Sequence, residues 1–175
     1  MTRRDILRCA SIAILSMALS PTPGFPAQAA QTATTTLKVA GDVRTPLSLS
    51  PDDLKSMPRA HAEAKNEDGR IVEYDGVLVG EILKRAGATL GADLRGNAVS
   101  TYVVASASDG YQVVFSLAEL DPAFTGSEII VADTIDGKPL LDYQGPFRIV
   151  APKDTRAARS IRMLERLDVV RVKKP

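Results

Sequence analysis

The chain has 175 residues, of which 45% are hydrophobic and 25% are charged. This length and composition predict a globular domain with its own core and exclude a disordered chain. The net charge of +1 excludes a general electrostatic attraction to nucleic acid or to an anionic membrane surface, so we expect no nucleic-acid partner.

The first 29 residues have the pattern of an export signal. Arg3 and Arg4 lie in a short basic region, an apolar run follows over residues 9–19, and residues 27–29 form an Ala-Gln-Ala cleavage site. The apolar run is too short to span a membrane permanently. The sequence therefore predicts a signal peptide over residues 1–29, a periplasmic or secreted mature protein, and no stable membrane anchor after cleavage.

The residues around the two arginines bear on the export route. Residues 2–8 read TRRDILR and resemble the twin-arginine signal, which exports proteins that are already folded. A general secretory signal can also begin with two basic residues, so both routes stay open, and we favour the twin-arginine type. Cleavage would remove Cys9, the only cysteine, and with it any thiol for a disulfide, a nucleophile or a metal ligand.

The mature chain reads as one α+β domain rich in strands. Residues 30–36 predict a flexible leader, and the domain is expected over residues 37–173. Alternating or β-rich runs predict strands at 37–41, 60–64, 70–74, 101–105, 112–115, 128–132, 147–151 and 167–172. Asp-Gly pairs at 68–69, 75–76, 109–110 and 136–137 are typical of turns, and residues 66–69 predict a hairpin turn.

Three short helices are expected between the strands. Ser50 is a cap residue, proline and two acids follow it, and Pro58 ends that helix. Residues 79–86 have apolar positions at helical spacing and are closed by Gly87. A last helix is predicted around residues 159–164, and Ser116 with Glu119 forms a second short capping box.

Five stretches then occur in a characteristic order. They are YDGVLVGEIL with AG at 74–83 and 86–87, SDGY at 108–111, DGKPL at 136–140, GPFRIVAP at 145–152 and RSIR at 159–162. In this order and spacing they resemble the sulfite-oxidase-type molybdopterin-binding domain over residues 37 to 172. The resemblance implies a strand-rich, mixed-sheet single domain of that type, and it implies molybdopterin as the cofactor, if any is bound.

One departure from the family bears on its chemistry. The family binds molybdenum through a cysteine thiolate shortly before the Gly-Val helix, but residues 58–75 contain no cysteine and instead include His61, Glu63 and Asp68. Molybdenum beside the pterin dithiolene favours sulfur, and imidazole or carboxylate is a poor replacement. The chain also resembles the small stand-alone members, because it has no room for the additional dimerisation domain of the full enzymes. No metal site is predicted.

A basic cluster after residue 147 is the main candidate for ligand binding. It consists of Arg148, Lys153, Arg156, Arg159 and Arg162, with Ser160 among them. In the family, the matching basic-Ser-x-basic region helps to hold the anionic pterin and its phosphate, and guanidinium groups bind phosphate in a bidentate manner. The alternative is a solvated surface helix before the last strand.

Three further residues complete the candidate site. Asp109 and Tyr111 could line the same cleft, as a polar anchor and a donor, although a common hairpin turn followed by a strand tyrosine explains both. His61, the only histidine, could be a ligand or a proton shuttle, or it could be a solvent-facing strand residue. No other catalytic motif is recognised, and no catalytic residue is assigned.

Three hypotheses about function follow. The first and favoured one is a binding module that keeps a cleft for a pterin or another small anion without standard molybdenum redox catalysis. The second is an active periplasmic molybdopterin-dependent oxidoreductase with an altered metal sphere. The third is an accessory or scaffold protein that works beside a periplasmic redox protein. Convergence of Arg148, Arg159 and Arg162 on one cleft would favour the first hypothesis, whereas Arg159 and Arg162 side chains that splay into solvent would favour the third.

Overall fold

The computed structural model describes residues 36–66 and 68–173, in which ten strands form two sheets. In chain order the strands are β1 (Leu37–Gly41), β2 (Leu47–Leu49), β3 (Ala60–Lys65), β4 (Ile71–Leu78), β5 (Thr101–Ala107), β6 (Gln112–Ser116), β7 (Ile130–Ile135), β8 (Lys138–Pro139), β9 (Arg148–Val150) and β10 (Leu164–Arg171).

The first sheet has the order β2-β1-β10-β5-β6, and β1 pairs with β10 in parallel while the other pairs are antiparallel. The second sheet has the order β3-β4-β7-β8, β9 also pairs with β7, and every pair is antiparallel. The mixed first sheet and the short helices confirm the predicted α+β, strand-rich, mixed-sheet fold.

Two helices begin where the sequence predicts them. Helix α1 (Pro51–Lys55) starts at Ser50, whose hydroxyl accepts from the Asp53 N–H at 3.2 Å while the Asp53 carboxylate accepts from the Ser50 N–H at 2.8 Å. This reciprocal pair satisfies two backbone donors of the first turn. Helix α2 (Val79–Arg85) ends before Gly87, which has a positive φ of 75°. Helix α3 (Pro122–Thr125) is a short turn that the sequence did not predict.

The main core lies between α2 and the inner faces of both sheets. The fully buried side chains include Val39 of β1, Ile82 of α2, Val103 of β5 and Val131 of β7. A second, smaller cluster around Tyr74 and Ile130 covers the opposite face of the second sheet. Strands β4 and β7 therefore bury residues on both faces of the second sheet.

Two predicted elements are wrong. The segment at 159–164 is not a helix, because a 3₁₀ turn ends at Arg159 and β10 begins at Leu164. The Ile161 carbonyl accepts from the Ile149 N–H at 2.8 Å, and the Leu164 N–H donates to Phe147 at 2.8 Å. Pairing with the chain around β9 therefore replaces helical hydrogen bonds. Residues 75–76 do not form a turn either, since both lie inside β4.

The predicted signal peptide, Cys9, the leader as far as residue 35, and Glu67 of the hairpin turn lie outside the described residues. Within residues 36–66 and 68–173, no helix is long and apolar enough to cross a membrane. All described residues belong to one compact unit.

Candidate functional site

The basic segment after β9 separates two cavities. The first, which we call the Tyr111 cavity, has a volume of about 250 Å³ and is lined by Asp109, Tyr111, Ser160 and Arg162 among others. The second, the Glu63 cavity, has a volume of about 310 Å³ and lies between the end of β3 and residues 151–160. Ala157 and Ser160 line both cavities, so this segment is a wall that they share.

The Tyr111 cavity is built by the β5–β6 turn and the 3₁₀ turn Ala157–Arg159. The Asp109 carboxylate accepts from the Tyr111 N–H at 3.0 Å, and the Tyr111 hydroxyl donates to the Ala158 carbonyl at 2.9 Å. The Ser160 hydroxyl accepts from the Ala151 N–H at 3.2 Å. These bonds hold the polar side chains in place, and each side chain keeps a further donor or acceptor position for a ligand.

Arg162 supplies the positive charge of this cavity. Its side chain is exposed, and its guanidinium carbon lies 5.9 Å from the centre of the Tyr143 ring. A cation at that distance from an aromatic face is attracted by the ring quadrupole. The guanidinium is therefore positioned at the surface next to the cavity.

Arg159 lies in the same segment and binds two carboxylates. It binds Asp154 and Glu119 at 2.7 Å and 3.0 Å, and its guanidinium carbon lies 5.0 Å from the centre of the Phe115 ring. The hydrogen bond to Asp154, followed by the bond to Glu119, raises the pKa of Arg159 against the opposing effect of its partial burial. This arginine joins parts of the fold and does not line either cavity.

Arg148 and His61 lie away from the Tyr111 cavity. Arg148 is 6% exposed, donates to the Tyr74 hydroxyl at 3.2 Å and stacks on the Tyr74 ring. His61 lies on β3, where its Nδ1 contacts Asp75 and lies 3.4 Å from a Glu73 carboxylate oxygen. The structure thus brings together four of the seven predicted site residues, and the three predicted arginines do not converge on one cleft.

Sequence reasoning missed the carboxylates that accompany His61. Glu73 and Asp75 alternate on β4, and Asp75 pairs directly with His61 across the hairpin. The alternation was visible in the sequence, because residues two apart on a strand share a face. The pairing was not visible, since it depends on the length of the turn.

The donor atoms of the Glu63 cavity test the fit of the family's cofactor. Part of its lining comes from residues 58–75, the interval in which the family has its cysteine. The polar side chains of the cavity are Glu63, Lys65, Asp154, Thr155 and Ser160. The described residues include no cysteine. Carboxylates, hydroxyls and an amine are hard donors, and molybdenum beside a dithiolene favours sulfur. The side chains present therefore do not fit a thiolate-bound molybdenum, whereas an organic pterin needs no such ligand.

Comparisons with known proteins agree with the fold. Residues 23–175 match the family model described as the oxidoreductase molybdopterin binding domain. The crystal structure of the sulfane dehydrogenase SoxCD from Paracoccus pantotrophus is similar, with a TM-score of 0.60 and 19% sequence identity. The match covers 77% of this chain and 37% of that chain, so this chain spans little more than a third of its length. A comparison with curated proteins gave no match.

Proposed function

The chain belongs to the oxidoreductase molybdopterin binding domain family, and on this premise we propose that it is a ligand-binding member without standard molybdenum redox catalysis. Its ligand is a small molecule that carries both an anionic group and an N–H donor, of which an anionic pterin is the representative. The ligand binds in the Tyr111 cavity.

Arg148, Arg159 and Arg162 do not meet in one cleft, so the proposal rests instead on the composition of the Tyr111 cavity. It places an arginine and an aspartate around the same space, together with Ser160 and Tyr111. The guanidinium of Arg162 suits a carboxylate or phosphate, because it offers paired donors in a plane. The carboxylate of Asp109 suits a ring N–H or an amino group, since an ionised carboxylate only accepts hydrogen bonds.

The volume of the cavity supports a small ligand. At about 250 Å³ the Tyr111 cavity lies just below the range of roughly 300–1,000 Å³ that is usual for ligand pockets. A single bicyclic ring with one anionic group suits this size better than a complete metal cofactor. The missing thiolate supports the same conclusion, because the donors of the Glu63 cavity do not suit molybdenum.

Export forms a separate part of the proposal. Residues 1–29 support it through the paired arginines, the short apolar run and the Ala-Gln-Ala site. We expect the mature protein in the periplasm or outside the cell, with its N-terminus at Ala30. N-terminal sequencing of the protein from a periplasmic fraction checks this, and an intact Met1 terminus would contradict it.

The binding experiment uses 6-carboxypterin, followed by its intrinsic fluorescence, and inorganic phosphate, followed by calorimetry. Replacing Arg162 by glutamine should lower the affinity for 6-carboxypterin by about tenfold or more, because a charge-assisted hydrogen bond contributes about 1.5–3 kcal/mol. Asp109→Asn should lower the affinity for 6-carboxypterin and leave the affinity for phosphate unchanged. Arg70→Gln is the matched control, because Arg70 is an exposed arginine in the β3–β4 turn and should change neither.

Two results would overturn the proposal. One is equal affinity of the wild-type protein and the Arg162→Gln variant for both probes. The other is stoichiometric molybdenum, measured by elemental analysis, in protein purified from its native host, which would favour an oxidoreductase with another metal ligand.

A further inference from the structure

Strands β3 and β4 place one imidazole and two carboxylates on the same face of the second sheet. His61 and Asp75 are directly paired, and Glu73 lies two residues before Asp75 on β4. One donor atom of each side chain lies within 4.8 Å of the other two. A metal ion bound tetrahedrally at about 2.0–2.2 Å to nitrogen and oxygen separates its donor atoms by about 3.3–3.6 Å. The three groups therefore need only small side-chain rotations to share one ion.

The strand that carries both carboxylates is held from its other side. The Glu73 N–H donates to the Asp136 carboxylate at 3.1 Å, and the Asp136 N–H donates to the Glu73 carbonyl at 2.8 Å. Strand β4 also pairs with β7, where Asp75 lies opposite Thr134. A site on paired strands is more rigid than one on loops, and this reduces the cost of ordering the ligands.

The arrangement concentrates negative charge. Two carboxylates approach the same nitrogen of His61, and one proton on Nδ1 can bond only one of them. Glu63 lies directly opposite Glu73 across the hairpin, and like charges at such positions destabilise a sheet. Arg59 is held by Asp133 through hydrogen bonds of 2.9 and 2.6 Å, and its charge offsets that of Asp75 only in part. A bound cation would offset this repulsion.

The donor set also selects the kind of cation. Imidazole suits zinc and the neighbouring first-row transition metals, whereas calcium and magnesium take oxygen ligands. The side chains of His61 and Glu73 are 65% and 59% exposed, while that of Asp75 is 21% exposed. The outer side therefore stays open, and water would complete the coordination.

We propose that His61, Glu73 and Asp75 form a site for a divalent first-row transition-metal ion, bound through His61 Nδ1 and one oxygen of each carboxylate. This site shares no residue with the Tyr111 cavity. The imidazole distinguishes it from a purely acidic surface patch. When the ion binds neutral His61 at Nδ1, the imidazole proton moves to Nε2.

The first test is a calorimetric titration of the full chain with zinc chloride. We expect one zinc ion per chain, an affinity reduced at least tenfold in His61→Ala and in Asp75→Asn, and no change in Asp68→Asn. Asp68 is the matched control because it is an exposed carboxylate of the same hairpin. A Cys9→Ser variant must bind as the wild type does, since Cys9 is the one thiol that could bind zinc instead.

The second test identifies the nitrogen of His61 that coordinates the ion. His61 is the only histidine, so a ¹⁵N-labelled protein gives one pair of imidazole nitrogen signals. Zinc should shift the Nδ1 signal strongly and leave Nε2 protonated, and calcium chloride at the same concentration should leave both unchanged. Zinc affinity that is equal in the wild type and in His61→Ala, or imidazole signals that zinc does not move, would overturn the proposal.

Discussion

Arg159 binds Asp154 through two parallel hydrogen bonds, from Nε to Oδ2 at 2.8 Å and from Nη2 to Oδ1 at 2.7 Å. The remaining Nη1 donates to Glu119 at 3.0 Å. This arginine therefore links the segment after β9 to the turn after β6. Arg159, a cation of the predicted anion-binding segment, therefore has a structural role. Arg162 is the cation that lines the Tyr111 cavity.

Replacing Arg159 by alanine should lower the free energy of unfolding by about 1–2 kcal/mol. Paired charge-assisted bonds are stronger than neutral ones, but partial exposure weakens them. Urea denaturation measures the change, and Arg156→Ala, at an exposed neighbour, should stay within about 0.5 kcal/mol of the wild type. A loss in Arg156→Ala as large as that in Arg159→Ala would contradict the structural role.

The pH dependence of this contribution follows from the raised pKa of Arg159. A group whose pKa is raised on folding stabilises the fold fully below its unfolded pKa, and it loses that effect only as the pH rises through the folded pKa. Both values lie above the range in which proteins are normally studied. We therefore expect the stability difference between the wild type and Arg159→Ala to stay constant between pH 7 and pH 10 in urea titrations.

The capping residue Asp53 should make the start of α1 sensitive to acid. Hydrogen bonds from the side chain and then the backbone of Ser50 lower the pKa of Asp53 below its ordinary value of 3.8. Its stabilising effect is then complete above the unfolded pKa and is lost as the pH falls through the lower folded pKa. Melting temperatures of the wild type and of Asp53→Asn should differ at pH 6 and converge towards pH 2. A difference that does not change with pH would contradict this.

Gly76 allows β4 and β7 to approach each other. A Cβ at this position would lie 2.1 Å from the Val131 carbonyl oxygen, whereas a Cβ at Gly69 would meet no atom within 4 Å. Gly76→Ala should therefore destabilise the protein by about 3 kcal/mol, the upper part of the range for overpacking. Gly69→Ala should cost only about 1 kcal/mol, because its positive φ of 78° is the only strain. Chemical denaturation measures the free energy of unfolding of both variants, and an equal loss in the two would contradict the close approach at Gly76.

Asp121 ties two loops together from a buried position. It is 5% exposed, and its two oxygens accept from the N–H groups of Ala123 at 3.0 Å and of Gly91 at 2.5 Å. Asp121→Ala leaves both donors without these acceptors and should cost about 2–4 kcal/mol. Asp121→Asn keeps one acceptor and should lose about half as much. Equal stability of the alanine variant and the wild type in urea would show that the two bonds contribute little.

The sequence was a good guide wherever the signal was local. Ser50 and Asp53 indicated the start of α1, Gly87 indicated the end of α2, and the Asp-Gly pair at 136–137 indicated a turn. Each depends on side chains within a few residues of one another, so no knowledge of the fold was needed. The five stretches that resemble the family indicated the mixed-sheet fold through their order and spacing along the chain.

The errors arose where distant chain segments compete with local preference. Residues 161 and 164 have helical spacing, but their backbone groups bond to Ile149 and Phe147. The Asp-Gly pair at 75–76 has the composition of a turn, but β7 covers it and Gly76 fits against Val131. Long-range hydrogen bonds and close packing override local propensity in both cases.

By itself, the sequence determined the fold class, the caps and most turns, and the absence of a thiol from the described part of the chain. Only the tertiary structure decided the partner of each charged side chain. The Asn66 side chain accepts from the N–H groups of Asp68 and Arg70, and this turn sets the register that pairs His61 with Asp75. A shift of one residue would place every side chain of β3 on the opposite face. Ion pairs between residues 40 or more apart in sequence, such as Arg159 with Glu119, exist only after the sheets have assembled.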